Sequence, residues 1–347
     1  EGDIRRQAAD LLGNMIAHYD ISYGKELPKN VDIILDETNG FLLWQKYLDM
    51  ILLPDHKMID KHKRWLGYGL KRVVTSLLEN CKVENKRKYI VHLLSYYQKN
   101  CGAETAFVLA DTIPSMPMDI LQKKEIKQIL LFLQSVLQIE HLELCAAILL
   151  ALYDMADLFV WEKQCLDIVK KMVLAINQRT EISLQFLIYE IKQKYHLEQI
   201  KQTVSEKDIF TEPRVVSDIF LENLKAATPW KIKIINTKLL YARIEKGISM
   251  PKLHIATHLS NLLKISEQVS VRHYAGETLV RLAPLLSLDE RNEVAIELTK
   301  GLEMGEFEFS KYIPQYLGQF ALYLHPEELD EFLHNLEDLL HSTNDRI

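Results

Sequence analysis

Apolar residues recur along the second half of the chain with a period of about 39 residues, close to that of known two-helix repeats. Four pairs follow this period, and the two members of each are four positions apart, as on one helix face: Val216/Phe220, Ile255/Leu259, Val294/Leu298 and Phe332/Leu336. A second series with the same period lies between them: Ile232/Leu240, Val271/Leu279 and Phe309/Leu317. Because each series marks the buried face of one helix, two series with one period predict a repeated unit of two helices.

Helix-terminal residues occur where this period requires them. Thr228 and Pro229 place a capping hydroxyl before a proline that suits the first helical position. Ser287 and Glu290 have the spacing of a capping box, and Pro326 is followed by two glutamates at the positive end of the next helix. These signals support the two-helix unit.

Turn-forming residues are scarce along the whole chain. Its 347 residues include only 12 Gly and 10 Pro, and long stretches of alternating apolar and polar residues are absent. Helices must therefore dominate. The length exceeds that of one compact core, which favours an elongated repeat. The sequence predicts an all-α fold, a right-handed α-α superhelix built from antiparallel helix pairs.

The repeated segments resemble HEAT repeats, an α-solenoid family related to the armadillo repeats. The segment "VRHYAGETLVRLAPLL" from Val271 resembles the second helix of that family, with a Val-Arg pair followed by a small Ala and by Leu. The segments "IRRQAADLLGNMI" and "FSKYIPQYLGQFA" repeat parts of this arrangement, although Ser310 stands where the third copy should have Arg. The resemblance implies stacked helix pairs with a long concave surface, and structural roles for Arg5 and Arg272.

The period is harder to follow before residue 206. Helices are predicted there at residues 40–53, 57–79, 84–99, 103–112, 119–137, 139–156, 158–178 and 181–203. Residues 21–38 are predicted to form an inserted loop. We therefore expect an irregular α-solenoid over residues 1–205 and regular HEAT-like repeats over residues 206–347, with a separate helical bundle as the alternative for the first region.

Both ends of the sequence fall inside a repeat unit. Residues 3–19 have the pattern of a second helix without its first, and the chain ends on a first helix followed by the start of a second. We therefore expect a segment of a longer solenoid. The segment "LPDHKMIDKHKRWLGYGLKRVV" also resembles helical arrays of large bacterial proteins that contain nucleotidyltransferase and phosphohydrolase domains. That resemblance implies an accessory segment of a multidomain enzyme.

Cysteine usage and hydropathy restrict the compartment. The four cysteines form no C-x-x-C motif and are too few for a disulfide framework, which favours a reducing environment. The longest apolar stretch, "LCAAILLALY" at residues 144–153, is about half of the roughly 20 residues that a membrane-spanning helix needs. We expect a cytoplasmic chain that does not enter a membrane.

Positive charge is concentrated between residues 57 and 88, although the net charge of the chain is −6. Ten basic and three acidic residues give this stretch a local charge of +7. Nine of them are candidates for contact with an anionic partner: Lys57, Lys61, Lys63, Arg64, Lys71, Arg72, Lys86, Arg87 and Lys88. With Trp65 and Tyr68 interleaved, the stretch would suit nucleic acid, since cations neutralise phosphates and aromatic rings stack on bases. A solvated lysine face is the simpler interpretation.

Negative charge is concentrated at the other end of the chain. Residues 287–347 contain four basic and fourteen acidic residues, a local charge of −10. Glu327, Glu328 and Glu331 are candidates for contact with a basic partner. Partners of opposite charge are therefore predicted for the two regions, with affinities that fall as salt rises.

The sequence contains no pattern that predicts a catalytic, cofactor or metal site. His254 and His258 are spaced like the histidines of zinc proteases, but Ile255 stands at the position of the catalytic glutamate and no third ligand is indicated. A second group has an Asp-His order, unlike metal-dependent phosphohydrolases: Asp55, His56, Asp60 and His62. The chain also lacks the His-Glu dipeptides of HEAT-type hydroxylases, and its scattered tryptophans do not match HEAT-like DNA glycosylases.

These observations predict a non-catalytic scaffold without a cofactor. Its concave surface would bind a protein partner or another domain of its parent chain. Nucleic-acid binding through residues 57–88 is the first alternative. An accessory role in a nucleotidyltransferase or phosphohydrolase enzyme is the second.

Overall fold

A computed structural model describes residues 8–16, 37–52, 60–98, 101–159, 163–211, 224, 228–266, 269–303 and 311–341. Every regular element in these ranges is a helix and none is a strand, which confirms the predicted all-α class. The predicted loop at residues 21–38 lies outside the described ranges, except for residues 37 and 38, which are helical.

The described helices are numbered in chain order. They are α1 (8–16), α2 (Glu37–Leu52), α3 (Asp60–Asn80), α4 (Val83–Leu94), α5 (Ala103–Thr112), α6 (Lys123–Val136), α7 (Leu142–Asp154), α8 (Ala156–Phe159), α9 (Lys163–Ile176), α10 (Ile182–Lys194), α11 (Glu206–Thr211), α12 (Trp230–Glu245), α13 (Lys252–Ile265), α14 (Val269–Leu282), α15 (Leu288–Glu303), α16 (Ile313–Ala321) and α17 (Pro326–Leu340). Short 3₁₀ turns occupy Ser95–Gln98, Ile113–Ser115, Met118–Ile120 and Ala283–Leu285.

The helices predicted before residue 206 are all present, with differences at their ends. The prediction for α5 agrees at both ends, while the helix predicted at 119–137 begins only at Lys123. A 3₁₀ turn precedes α6, and the Gln122 N–H then donates to Glu125 Oε2 over 2.8 Å, which caps the start of the helix.

The chain forms two compact units. The first contains Glu1–Thr180 and Leu187–Thr203, and the second contains Glu181–Phe186 and Val204–Ile347. Helix α10 therefore contributes its first residues to the second unit and the rest to the first unit. The division of the repeats at residue 205 into an irregular and a regular region stays a prediction.

Helices of the first unit alternate between two layers, which we call the A layer and the B layer. Helices α2, α4, α6 and α9 lie in the A layer, and α3, α5 and α7 lie in the B layer. In the B layer α3 packs on α5 and α5 on α7, while in the A layer α2 packs on α4 and α6 on α9. Successive long helices belong to opposite layers, as in a stack of helix hairpins.

Helix starts in the first unit repeat with nearly the same period as the second half of the sequence. In the A layer, α4, α6 and α9 begin at Val83, Lys123 and Lys163, a regular interval of about 40 residues that is typical of HEAT-like units. Helices α5, α7 and α10 begin at almost the same interval from one another. The repeat thus extends into the region where the apolar period is harder to follow in the sequence.

The second unit has the same two-layer arrangement. Helices α13, α15 and α17 form its A layer and α12, α14 and α16 form its B layer. Only three residues join α13 to α14, and the two helices pack along each other, so they run antiparallel. This packing is compatible with the predicted α-α superhelix, whose handedness stays a prediction.

The apolar period of the sequence marks the buried faces of the second unit. The described members of both series that are buried are Ile232, Leu240, Ile255, Leu259, Val271, Leu279, Val294, Leu298, Leu317 and Phe332. Arg272, for which a structural role is predicted, is also fully buried, and its Nε donates to the Ser266 carbonyl. Val216, Phe220, Phe309 and Arg5 lie outside the described residues.

Within each unit, long polar side chains tie neighbouring repeats together by donating to backbone carbonyls near helix ends. The last carbonyls of a helix have no partner within the helix, so a donor from the neighbouring repeat satisfies them. Six such bonds of 2.6 to 2.9 Å join Gln128 to Leu94, Arg179 to Ile139, Tyr195 to Leu152, Arg243 to Ile209, Lys252 to Leu285 and Arg291 to Tyr323.

Some B-layer helices are buried on every face. All residues of α5 from Thr105 to Thr112 and all residues of α7 from Leu144 to Leu152 are buried. Helix α14 of the second unit differs, because Glu277 and Arg281 are exposed. Helices α5 and α7 therefore present no polar surface along these stretches.

We expect Gly276→Ala in α14 to destabilise the chain. A Cβ at this position would overlap the ring of Tyr316, which is buried and fixed by a 2.6 Å hydrogen bond to His273. Overpacking costs about 1–3 kcal/mol, more than the about 1 kcal/mol that replacing a helical glycine gains.

Gly318→Ala in the neighbouring helix α16 is the matched control. No atom lies within 4 Å of the added Cβ, so this change should stabilise the helix by up to about 1 kcal/mol. Urea unfolding of both variants measures the difference. A Gly276→Ala variant as stable as Gly318→Ala would contradict the packing of α14 on α16.

Candidate interaction surfaces

The predicted basic stretch is divided between two layers. Lys71 and Arg72 lie on α3 of the B layer. Lys86, Arg87 and Lys88 lie on α4 of the A layer. Lys57 and the side chains of Lys61, Lys63 and Arg64 lie outside the described residues, as do those of Trp65 and Tyr68.

Three of the five described candidate cations have partners within the chain. Arg72 forms a bidentate ion pair with Asp10 of α1. Arg87 donates to Glu125 over 2.7 Å and to the Ile120 carbonyl over 2.6 Å. The ammonium of Lys88 lies 4.4 Å from the centre of the Phe41 ring. Lys71 and Lys86 form no ion pair with any described residue.

The predicted acidic contacts have different roles. Glu328 accepts a hydrogen bond of 3.1 Å from the His325 N–H and caps the start of α17. Glu327 is exposed, and the side chain of Glu331 lies outside the described residues. Glu328 thus has a local structural function, while Glu327 is available for contact.

The histidine candidates do not form a described metal site. His254 is exposed on α13 and His258 is half-buried on the same helix. Within the described residues, no group of three or more His, Cys, Asp or Glu side chains is arranged to hold a metal ion. Asp55 and His56, and the side chains of Asp60 and His62, lie outside those residues. Burial raises the pKa of the Cys101 thiol, which makes it less reactive than an ordinary cysteine.

A basic surface that the sequence analysis did not predict lies on the A layer of the first unit. We call it the basic face. It is formed by α4, α6 and α9, together with Lys82, which directly precedes α4. Its nine lysines are Lys82, Lys86, Lys88, Lys123, Lys124, Lys127, Lys163, Lys170 and Lys171. All nine are exposed or half-buried, and none forms an ion pair with a described residue.

Few acidic residues balance this charge. The acidic residues of the three helices are Glu84, Glu125 and Asp167. Glu125 is only 6% exposed and is paired with Arg87, so Glu84 and Asp167 remain at the surface. The basic face therefore has an excess of seven positive charges.

Each helix of the basic face also exposes an aliphatic side chain in its second half, and α4 exposes its first residue, Val83, as well. Val91, Leu131 and Leu174 are between 44% and 47% exposed. The aromatic side chains of these helices, Tyr89 and Phe132, are instead buried. The surface thus combines ammonium groups with aliphatic contact points and offers no described aromatic ring for stacking.

The A layer of the second unit has a surface of opposite charge, which we call the acidic face. It is formed by α15 and α17, which pack on each other. Six exposed carboxylates lie on it without a described ion pair: Asp289, Glu293, Glu327, Asp330, Glu337 and Asp338.

The acidic face also exposes aliphatic side chains. Ile296 is 37% exposed and Leu333 is 51% exposed. The exposed lysine of α15, Lys300, bonds to Glu297 over 3.0 Å, and this bond lowers the pKa of Glu297. Lys300 therefore compensates Glu297 more than it compensates the six carboxylates.

From the sequence, either face can be recognised only by grouping residues that lie one repeat, about 40 positions, apart. Glu84, Lys124 and Gln164 each follow the first residue of their helix, and so occupy equivalent positions in successive repeats. The lysines of the basic face extend from Lys82 to Lys171, so they do not form a local run. The count over residues 57–88 includes only the α4 part of this face.

Comparison with models of known protein families gave no match, and comparison with curated proteins gave none either. In the described part of the chain, no helix combines the length and the apolar character needed to cross a membrane.

We expect Arg87→Ala to destabilise the fold by about 1–3 kcal/mol, because it leaves the buried Glu125 carboxylate without its cation. The neighbouring Lys86→Ala is the control and should change stability by less than about 0.5 kcal/mol. Adding Glu125→Gln to Arg87→Ala should recover part of the loss, since a neutral amide costs less to bury than a carboxylate. Equal midpoints of urea unfolding for the two single variants would refute the structural role of Arg87.

Proposed function

We propose that this chain is a non-catalytic scaffold of HEAT-like repeats that binds protein partners through the basic face and the acidic face. The alternation of A-layer and B-layer helices at intervals of about 40 residues supports the HEAT-like assignment. A repeat array of this kind presents surface side chains at regular intervals while its core remains continuous.

The observation that carries the proposal is the shared design of the two faces. Val91, Leu131 and Ile296 each lie eight residues after the first residue of their helix, and each follows a charged residue by one helical turn. An apolar contact point inside a charged rim is the usual composition of a protein–protein interface. Opposite charges on the two units favour partners of opposite charge.

The burial of B-layer helices directs the proposal to the A layer. Helices α5 and α7 are buried along most of their length, so they offer a partner no polar side chains there. In the second unit, Glu277 and Arg281 leave α14 open to contact. The A-layer faces carry more exposed charged side chains than the described B-layer helices.

Nucleic-acid binding is the less favoured alternative. Arg72 and Arg87 are engaged by Asp10 and Glu125, so their charges are already compensated within the chain. Tyr89 and Phe132 are buried and cannot stack on bases. The accessory role in a multidomain enzyme and the cytoplasmic location remain predictions from the sequence alone.

Affinity capture with charge-reversed variants tests the proposal. Lys124→Glu/Lys171→Glu changes the basic face, and Glu293→Lys/Asp330→Lys changes the acidic face. Each variant should lose captured proteins that the wild-type chain retains at low salt, because the reversed charges repel the partner. Quantitative mass spectrometry of the captured proteins measures the loss.

Matched controls carry the same change in net charge at exposed positions outside the two faces. These are Lys201→Glu/Lys207→Glu and Glu140→Lys/Glu198→Lys. The controls should capture the same proteins as the wild type. If the face variants also do so, neither face binds the partner.

Fluorescence anisotropy with a labelled single-stranded oligonucleotide tests the alternative. At about 0.15 M salt we expect no saturable binding by the wild-type chain. Saturable binding that Lys124→Glu/Lys171→Glu abolishes would favour nucleic acid over protein as the partner of the basic face.

A further inference from the structure

We infer that the partner of the basic face is the acidic face of a second copy of this chain. The inference rests on the proposed function, in which these faces bind protein partners. It adds the identity of one partner. Both faces belong to A layers, and both combine exposed charged side chains with exposed aliphatic ones. They differ in the sign of their charge.

Charge complementarity is the first argument. The basic face has nine lysines against the surface carboxylates of Glu84 and Asp167. The acidic face has six exposed carboxylates, and its exposed lysine, Lys300, bonds to Glu297. The two excesses are similar in size, so pairing two copies would compensate charges that neither face compensates alone.

The isolated fold does not benefit from this arrangement. Lys123 and Lys124 lie in the first turn of α6 and Lys163 in the first turn of α9, where the positive end of the helix dipole disfavours a cation. Like charges on neighbouring helices of one layer also repel. Carboxylates from a second copy would attract these lysines. They would thereby offset both the unfavourable interaction with the helix dipole and the repulsion between the lysines.

Aliphatic contacts are the second argument. Val91 and Leu131 occupy the same position on neighbouring helices, and Ile296 occupies that position on α15. Packed helices lie about 8–10 Å apart, so exposed side chains of adjacent helices are spaced similarly on both faces. Pairs of aliphatic side chains can therefore meet between the copies while the charged groups form the rim.

The composition of the basic face favours a protein over the other anionic partners. Nucleic acid would use exposed aromatic rings, but Tyr89 and Phe132 are buried. An anionic membrane would require the lysines alone and would leave the complementary layout of the acidic face unexplained. A second copy accounts for both faces together.

Sedimentation equilibrium of the full chain tests the inference. At about 0.01 M salt, where the Debye length is about 30 Å, the wild-type chain should self-associate. At about 1 M salt, where it is about 3 Å, the association should be lost. A chain that stays monomeric in both conditions at every concentration overturns the inference.

Complementation between variants identifies the contact. Lys124→Glu/Lys171→Glu and Glu293→Lys/Asp330→Lys should each raise the dissociation constant of self-association by at least about tenfold, the equivalent of about 1.4 kcal/mol. A mixture of the two should associate again, because each variant keeps one intact face. No association in the mixture would show that these two faces do not bind each other.

Two controls separate this inference from loss of fold and from the proposed function. The Lys201→Glu/Lys207→Glu variant should associate like the wild type, and unfolding curves should show that all variants are folded. If the chain stays monomeric but captures other proteins, the inference of a second copy as partner is overturned and the proposed function stands. Co-sedimentation with phosphatidylserine vesicles by a chain that does not self-associate would assign the basic face to a lipid surface.

Discussion

Among the described helices, no pair can bury its apolar residues without the neighbouring pairs. Helix α14 illustrates the constraint, because it packs on α12, α13 and α16 at the same time, and residues such as Val271 and Leu279 are fully buried only through these contacts. The carbonyls at helix ends have the same dependence, since side chains such as Arg179 and Tyr195 satisfy them from one repeat away. Stability is therefore built from contacts between neighbouring repeats.

Because the core forms between the two layers, the outward face of an A-layer helix does not contribute to core packing. On α4, Tyr89 and Ile90 are buried in the core, whereas Glu84 and Val91 are exposed. Side chains on that side can change in charge without loss of core packing. The opposite charges of the basic face and the acidic face show how two similar layers can acquire different electrostatic surfaces.

Much of the fold could be predicted because apolar period and helix length are local properties. The paired positions in the second unit, such as Ile255 and Leu259, are buried as the period requires. In the first unit, buried pairs of the A layer do repeat every 40 residues, as Tyr89/Leu93, Ile129/Leu133 and Val169/Val173. The B layer obscures this period for a physical reason. Helices such as α7 are apolar on every face, so they carry no one-sided stripe from which a spacing can be read.

The surfaces were predicted less well because they combine residues that are distant in sequence. The basic stretch at residues 57–88 is not one face, since Arg72 pairs with Asp10 and Arg87 with Glu125, 62 and 38 positions away. The basic face appears only when Lys88, Lys124 and Lys171 are brought into one layer. Layer packing is a property of the tertiary structure, so a count along the sequence cannot show it.

Helix α10 determines how this chain can be divided into fragments. Its first residues, Ile182–Phe186, group with the later part of the chain, while Leu187–Lys194 group with the earlier part. A truncation placed before the helix removes Leu187–Thr203 from the first unit, and one placed after it removes Glu181–Phe186 from the second. The order of the polypeptide thus interleaves the two units, and no single truncation site yields both as complete, separately expressible fragments.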